Sequence, residues 1–396
     1  MRSDAAPGLA LRLTALAGAA ASLLAVVSGA TGAGAPHREL AALALPPLLA
    51  MVLAAWFAHR RLLVPALVAL LSFLAAAAGT DRPLHVALAA LAFAAAVVLA
   101  ALTLRGEQVP RGSLRDYVTL TKPRIMTLLL LTGACGMVVG AHGFPPVGRF
   151  GAMMLGLALA CGGASALNHL LDRDIDRLMG PRTAGRPVAS GRLTAPRALE
   201  FGLALSACSF VVLASTVNVL AAVLALAGNL FYVVVYTRFL KRRGPSNIVL
   251  GGAAGAVPPL VGYAAATGNL ALPALWMFLI VFLWTPPHFW ALALLLRDHY
   301  AAAKVPMLPV VRGDRATVRQ IIGYTAVLVA FTVVPFFAGT FGVIYLVAVL
   351  ACGAAFLVLA VRLRGGAGRR AAALVFHYSL LYLALLFVAA AADAAL

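Results

Sequence analysis

Apolar runs recur from one end of this 396-residue chain to the other, each close to the ~20 residues that an α-helix needs to cross a bilayer. They are continuous rather than alternating, which favours helices over a barrel. Thirteen spans are predicted, near 9–30, 40–58, 62–79, 84–104, 125–143, 150–170, 197–215, 217–236, 247–267, 272–296, 319–339, 342–362 and 373–393. The third is short. Only Ser215-Thr216-Val217-Asn218 separates the seventh from the eighth. The predicted fold class is therefore an all-α polytopic membrane protein. The longest polar stretch in the first third, RGEQVPRGSLRDYVTLTKPR at 105–124, is read as a linker between a four-helix unit (1–104) and a nine-helix unit (113–396). Arg2, an apolar stretch and small residues mimic a signal peptide. With twelve more spans following, the segment is expected to remain as the first helix.

Composition agrees with the pattern: 63% of residues are hydrophobic, 11% are charged, and the mean hydropathy is +0.99. A formal charge of +19 in a soluble chain would suggest nucleic acid. Here it reads as topology, because Lys and Arg stay on the cytoplasmic side of a membrane. With the N-terminus inside, alternating spans leave only Arg38, Arg82 and Arg149 of the 31 Lys and Arg residues outside. The expected setting is the inner (plasma) membrane of a bacterium, with anionic lipid as a second attraction for the basic loops and no nucleic-acid partner. Cys135, Cys161, Cys208 and Cys352 all lie in apolar stretches without CxxC spacing and are read as small packing residues.

Charge is concentrated in three inside loops, 171–197, 236–247 and 297–319. The first carries NHLLDRDIDRLMGPRTAGRP, from Asn168 to Pro187. Asn168, Asp172 and Asp176 are spaced four and four, an advance of ~40° per step that keeps them on one helix face. Asp174 points elsewhere. Two carboxylates and an amide oxygen suit Mg²⁺, which takes one or two protein carboxylates and completes its shell with water and phosphate oxygens. Arg182 and Arg186 suit bidentate phosphate binding. A charged loop that merely obeys the topology rule would explain the arginines but not the acids. A transporter of an anionic solute gains little from carboxylates at its site. A CDP-alcohol phosphotransferase needs an Asp-Gly…Ala-Arg lead-in that is not present.

Asn-x3-Asp-x3-Asp followed by RLMGPRTAGRP resembles the first aspartate motif of the UbiA-type intramembrane prenyltransferases. TKPRIMTLLLLTGACGM (121–137), YTRFLKRRGPSNIVLGGAAGAVPPLVGY (236–263) and LWTPPHFWALALLLRDHYAAAKVPMLPVV (283–311) resemble the branch of that superfamily that farnesylates protoheme IX. The resemblance covers about residues 113–393. It implies a nine-helix UbiA-type bundle in which farnesyl diphosphate alkylates a vinyl group of heme B, giving heme O and diphosphate. On that footing Asn168, Asp172, Asp176 and Asp298 are the catalytic and metal candidates. Lys122, Arg124, Arg182, Arg186, Tyr236 and Lys241 are the diphosphate candidates. Arg173 and Arg177 rank lower as neighbours of the acids, as do Arg242 and Arg243. Quinone prenyltransferases, the alternative within the superfamily, usually carry a second aspartate pair, whereas here Asp298 is followed four residues on by Ala302, and Asp314 is distant. The number of Mg²⁺ ions stays open.

His288, in WTPPHFW, lies deep in a predicted span, where an ionisable residue is a functional candidate by default. It is read as a heme-pocket residue, with Trp284 and Trp290 (and Phe289) as aromatic walls. A core histidine bonded to a carbonyl is the competing reading. His169, Lys304 and His377 depart from the usual family residues without removing a candidate. Residues 1–104 weakly resemble a four-helix half of heme A synthase, making that enzyme a candidate partner, with His37, His59 and His85 as heme-ligand candidates.

Overall fold

The computed structural model describes residues 9–30, 34–57, 62–77, 82–103, 112–365 and 368–396. Its first unit is built of α1 (Leu9–Ala30), α2 (Gly34–Phe57), α3 (Leu63–Ala77) and α4 (Arg82–Thr103). After α5 (Leu114–Thr121) come α6 (Pro123–Ala141), α7 (Val147–Leu171), the short α8 (Arg173–Leu178) and α9 (Pro181–Ala184), then α10 (Ala195–Thr216) and α11 (Val219–Leu230). The rest comprises α12 (Asn247–Gly255), α13 (Val257–Thr267), α14 (Leu272–Leu295), α15 (Arg297–Ala302), α16 (Leu308–Phe337), α17 (Val343–Arg362) and α18 (Arg369–Ala395). Among the described residues nine spans, from Pro123–Ala141 to Arg369–Ala395, are long and apolar enough to cross a membrane, preceded by four shorter apolar helices. The protein is a multi-pass membrane protein.

Three boundaries depart from the simple hydropathy pattern for local reasons. The polar break at 215–218 is a built turn: Asn218 caps α11 by accepting from Ala221 N (2.8 Å) and donates to Ala264 O on α13 (2.8 Å). The helix holding the eleventh span is preceded by a short turn from Leu308, and Gly313 (φ 76°, ψ 171°) leaves helical geometry and kinks that turn away from the rest of α16. Part of the predicted linker is helical. Ser113 and Asp116 form a reciprocal capping box on α5, the kind of cap that stabilises a helix end by about 1 kcal/mol.

Helix association in lipid rests on close packing of small residues. Gly262 of α13 sits directly on the carbonyl of Gly133 on α6, where a Cβ has no room. α18 packs against both α14 and α6 and closes the bundle. Near the opposite end of α18, Asp393 accepts hydrogen bonds from Gly342 N and Ile344 N at the start of α17. The four-helix unit leans on the bundle through α1 and α4, with Val26 and Phe93 packed on Ala207 and Val211 of α10.

Beyond α11 the chain widens into a π-helix, Phe231–Phe239, followed by a 3₁₀ turn, Leu240–Arg242. Such widened turns are frequent at functional sites. This one delivers Thr237 and Lys241 to the end of α7.

Candidate active site

α7 ends at Leu171, yet its ladder continues across the junction into α8. Asp172 N donates to Asn168 O (2.9 Å) and Asp176 N to Asp172 O (2.8 Å). The four-and-four spacing therefore keeps its shared face. Asn168, Asp172 and Asp176 are 3%, 1% and 1% exposed, whereas the Asp174 side chain is 60% exposed.

Cations from three separate elements converge on that face. Lys122 lies in the left-handed region (φ 51°) between α5 and α6, and its Nζ donates to Asn168 Oδ1 (2.7 Å). Lys241 Nζ donates to Asp172 Oδ2 (2.6 Å), and Arg186 NH1 to Asp176 Oδ1 (2.6 Å). Asn168 completes the group by donating through Nδ2 to Asp172 Oδ2 (2.7 Å) and Thr237 Oγ1 (3.2 Å). Burial, reinforced by Arg186, pushes the Lys122 ammonium down to about 7. Burial raises the Asp176 carboxyl, with Arg186 opposing. Asp174 belongs to a different arrangement: Arg242 grips it with two bonds of 2.7 Å, which lowers its carboxyl to about 2.

One oxygen of each buried carboxylate, Asp172 Oδ1 and Asp176 Oδ2, has no protein partner. A buried polar atom left open costs free energy unless something binds it. Two open carboxylate oxygens on one face fit Mg²⁺, which binds through one or two carboxylates plus substrate phosphates. Among the described residues no three His, Cys, Asp or Glu side chains gather into an all-protein cage. Both ring nitrogens of buried His169 are also without partners.

The structure thus brings together Lys122, Asn168, Asp172, Asp176, Arg186 and Lys241. Arg124 and Arg182 are exposed and stand outside this network. Tyr236 packs beside it, with its ring against Tyr232 (5.5 Å between centroids) and over Gly251. Asp298 is exposed on α15, beyond a kink at Leu296 (φ −112°, ψ 18°) that the backbone bonds Leu296 N to Leu292 O (3.1 Å) and Tyr300 N to Leu296 O (3.0 Å) still cross. Arg177 is turned to Ala189 O (2.9 Å).

On α14 the His288 ring is sandwiched between Trp284 (4.3 Å) and Phe376 (4.7 Å). Its Nδ1 is 2.7 Å from Ser379 Oγ, which itself donates to Phe376 O (2.7 Å). Nδ1 is therefore the donor, and Nε2 keeps its lone pair. Trp284 donates to Ser379 O, while Trp290 meets Tyr324 edge-on and its indole nitrogen is unpartnered. In the first unit His85 Nδ1 is 2.9 Å from Ala76 O. His59 and the side chain of His37 lie outside the described residues.

The sequence reading missed Thr237, Asp116 and Arg192. Thr237 shows itself only once the π-helix is seen. Arg192 is 76 positions from Asp116, with α6 to α9 between them, and only its place in the basic loop 171–197 hinted at a role.

A site of this kind can hold a divalent cation and a polyanion next to an apolar bundle. The UbiA prenyltransferase family model matches residues 129–391. The protoheme IX farnesyltransferase of Roseiflexus sp. (strain RS-1) is 43% identical over 414 residues, covering 97% of this chain and 75% of that protein. That of Symbiobacterium thermophilum is 52% identical over 281 residues, 70% of this chain and 94% of its own length. A UbiA homolog from Archaeoglobus fulgidus, solved bound to DMAPP and Mg²⁺, superposes with a TM-score of 0.55 at 18% identity, covering 69% of this chain and 98% of that one. A digeranylgeranylglyceryl phosphate synthase structure superposes at 0.60, also at 18% identity, over 71% and 98%.

Proposed function

The chain belongs to the UbiA prenyltransferase family, and from that membership we propose that it transfers the farnesyl group of farnesyl diphosphate to a vinyl group of heme B, giving heme O and diphosphate. One observation carries the assignment of the site: a buried face with two open carboxylate oxygens, bracketed by Lys122, Arg186 and Lys241.

Asn168, Asp172 and Asp176 would hold Mg²⁺, and the DMAPP- and Mg²⁺-bound homolog supports that reading. Mg²⁺ held there would offset charge on the departing diphosphate. Lys122, Arg186 and Lys241 do the same from fixed positions, and such groups matter most where charge develops as the allylic C–O bond breaks. In this reading Arg182, Arg124 and Tyr236 serve the diphosphate from outside the buried network, and Asp298 is a further acid for a second Mg²⁺. The farnesyl C1 then bonds to the vinyl carbon, and water adds to the neighbouring carbon with loss of a proton.

His288, Trp284 and Trp290 line the heme pocket. The Nδ1 donation to Ser379 supports this, because a metal-ligating histidine commonly donates its other nitrogen to a neighbour. Residues 1–104 are a separate unit that docks on the 113–396 prenyltransferase domain, and heme A synthase is its candidate partner. The basic loops and the N-terminus face the cytoplasm of a bacterial inner membrane.

The test is purified protein supplied with heme B, farnesyl diphosphate and Mg²⁺, with products read by mass spectrometry. Farnesylated heme supports the proposal; turnover of a quinone precursor in its absence overturns it.

A further inference from the structure

Arg186 sits on a loop, and a loop needs something to hold it at a working distance. The fixing element is Arg192. Its Nε donates to Asp116 Oδ1 (3.0 Å), its NH1 to Ser190 Oγ (3.0 Å) and its NH2 to Gly185 O (2.9 Å). All three guanidinium nitrogens are thus engaged, and the Gly185 carbonyl belongs to the residue just before Arg186. Asp116 is held in turn. Its Oδ2 accepts from Ser113 N (3.1 Å) and Ser113 Oγ (2.7 Å), so the cap of α5 and the anchor of the loop share one carboxylate.

The opposite end of α5 leads into Lys122. Packing repeats the connection: Leu193, next to Arg192, is buried with Leu120 of α5, Ala166 and Leu170 of α7, and Val188 of the loop. Gly112 lies so close to Leu193 that a side chain there would collide with it. One strap therefore joins the two backbone elements that present Lys122 and Arg186.

From this geometry we infer that the Asp116–Arg192 bridge is a positioning pair for the diphosphate end of the substrate, acting through Arg186 and Lys122. It touches no reacting atom. Arg192 is half exposed, so solvent screens the bridge and limits its contribution to stability, although Asp116 is buried. The pair's value lies in geometry, since small misplacements of a positioned group are costly to rate. This inference rests on the proposed function.

The experiment uses the full chain in nanodiscs, with pyrophosphate plus Mg²⁺ as the binding probe by calorimetry and steady-state kinetics alongside. Arg192→Met and Asp116→Asn are expected to weaken pyrophosphate binding and raise KM for farnesyl diphosphate about tenfold. KM for heme B should change by less than about twofold; Arg192→Met should leave the melting temperature unshifted, while Asp116→Asn, which also weakens the cap of α5, should lower it slightly. Arg192→Lys keeps the charge but cannot span all three acceptors, so it should behave like Arg192→Met. In the pair Arg186→Met and Arg192→Met, the double variant should lose less than the sum of the two single losses, because part of the effect of Arg192 runs through Arg186. Additive losses, or equal rises in KM for both substrates, would overturn the positioning role. A wild-type chain that forms farnesylated heme yet whose pyrophosphate affinity ignores Asp116 and Arg192 overturns the strap alone. A wild-type chain that neither binds pyrophosphate nor farnesylates heme overturns the functional reading and the strap with it.

Discussion

Lys241 Nζ lies 2.6 Å from Asp172 Oδ2, and only 12% of the lysine side chain and 1% of the aspartate side chain are exposed. Removing one member of such a pair leaves an uncompensated buried charge, which costs far more than the pair contributes. On the proposed function both groups have further work: one oxygen of Asp172 is open to Mg²⁺, and the ammonium would meet the diphosphate.

Asp172→Asn keeps the shape and the bond to Asn168 but gives up the charge. Turnover should fall by about 10²–10³-fold, the scale seen when one preorganised electrostatic group is lost. Heme B should still bind, as followed by its visible absorption. Chelating Mg²⁺ in the wild type should stop turnover, and restoring Mg²⁺ should recover it. A variant with unimpaired turnover would remove Asp172 from the metal site.

Binding should be linked to protons through Lys122. Its ammonium is depressed by burial to about 7, so at pH 8 the group is largely neutral in the free protein. A bound diphosphate favours the charged form, so binding takes up a proton between about pH 7 and lysine's ordinary range near ~10.4. Affinity should weaken as pH rises through that window. Stability has the opposite sign, because the unfolded chain binds more protons there, so stability rises with pH. Calorimetry of pyrophosphate plus Mg²⁺ in two buffers of different ionisation heat measures the uptake. Lys122→Arg should abolish it while retaining affinity.

His288→Gln can still reach Ser379 Oγ, which spares the packing between Trp284 and Phe376. If Nε2 meets heme iron, the absorption spectrum of added heme B should change and affinity should drop about tenfold or more. An unchanged spectrum and affinity would return His288 to the role of a core residue.

Asp393→Ala removes the acceptor for Gly342 N and Ile344 N at the start of α17. Loss of bonds to a charged acceptor costs about 1–3 kcal/mol, so the melting temperature in detergent should fall. kcat and both KM values should hold, since Asp393 lies at the membrane face opposite the candidate site.

The helices were legible because crossing a membrane imposes a length and a composition that few other structures share. Asn168, Asp172 and Asp176 were legible because helical periodicity links them within nine residues, and the observed ladder preserves that period. Lys122 and Lys241 were reachable through resemblance. What escaped depended on contacts between distant segments or on irregular backbone. Thr237 faces Asn168 only because the chain there winds as a π-helix, for which hydropathy carries no signal. Arg192 and Asp116 meet across 76 positions. The short helical turn before Gly313 is set off by a kink at that glycine, and hydropathy gave no sign of it.

Lys122 joins α5 to α6 in a left-handed backbone conformation (φ 51°). For a residue with a Cβ that conformation costs about 1–2 kcal/mol, and glycine would relieve it. The junction thus trades durability against activity. A screen for thermal robustness alone would select Lys122→Gly, while a screen for turnover would reject it. What glycine would give up is the cation that this strained position brings within 2.7 Å of Asn168 Oδ1.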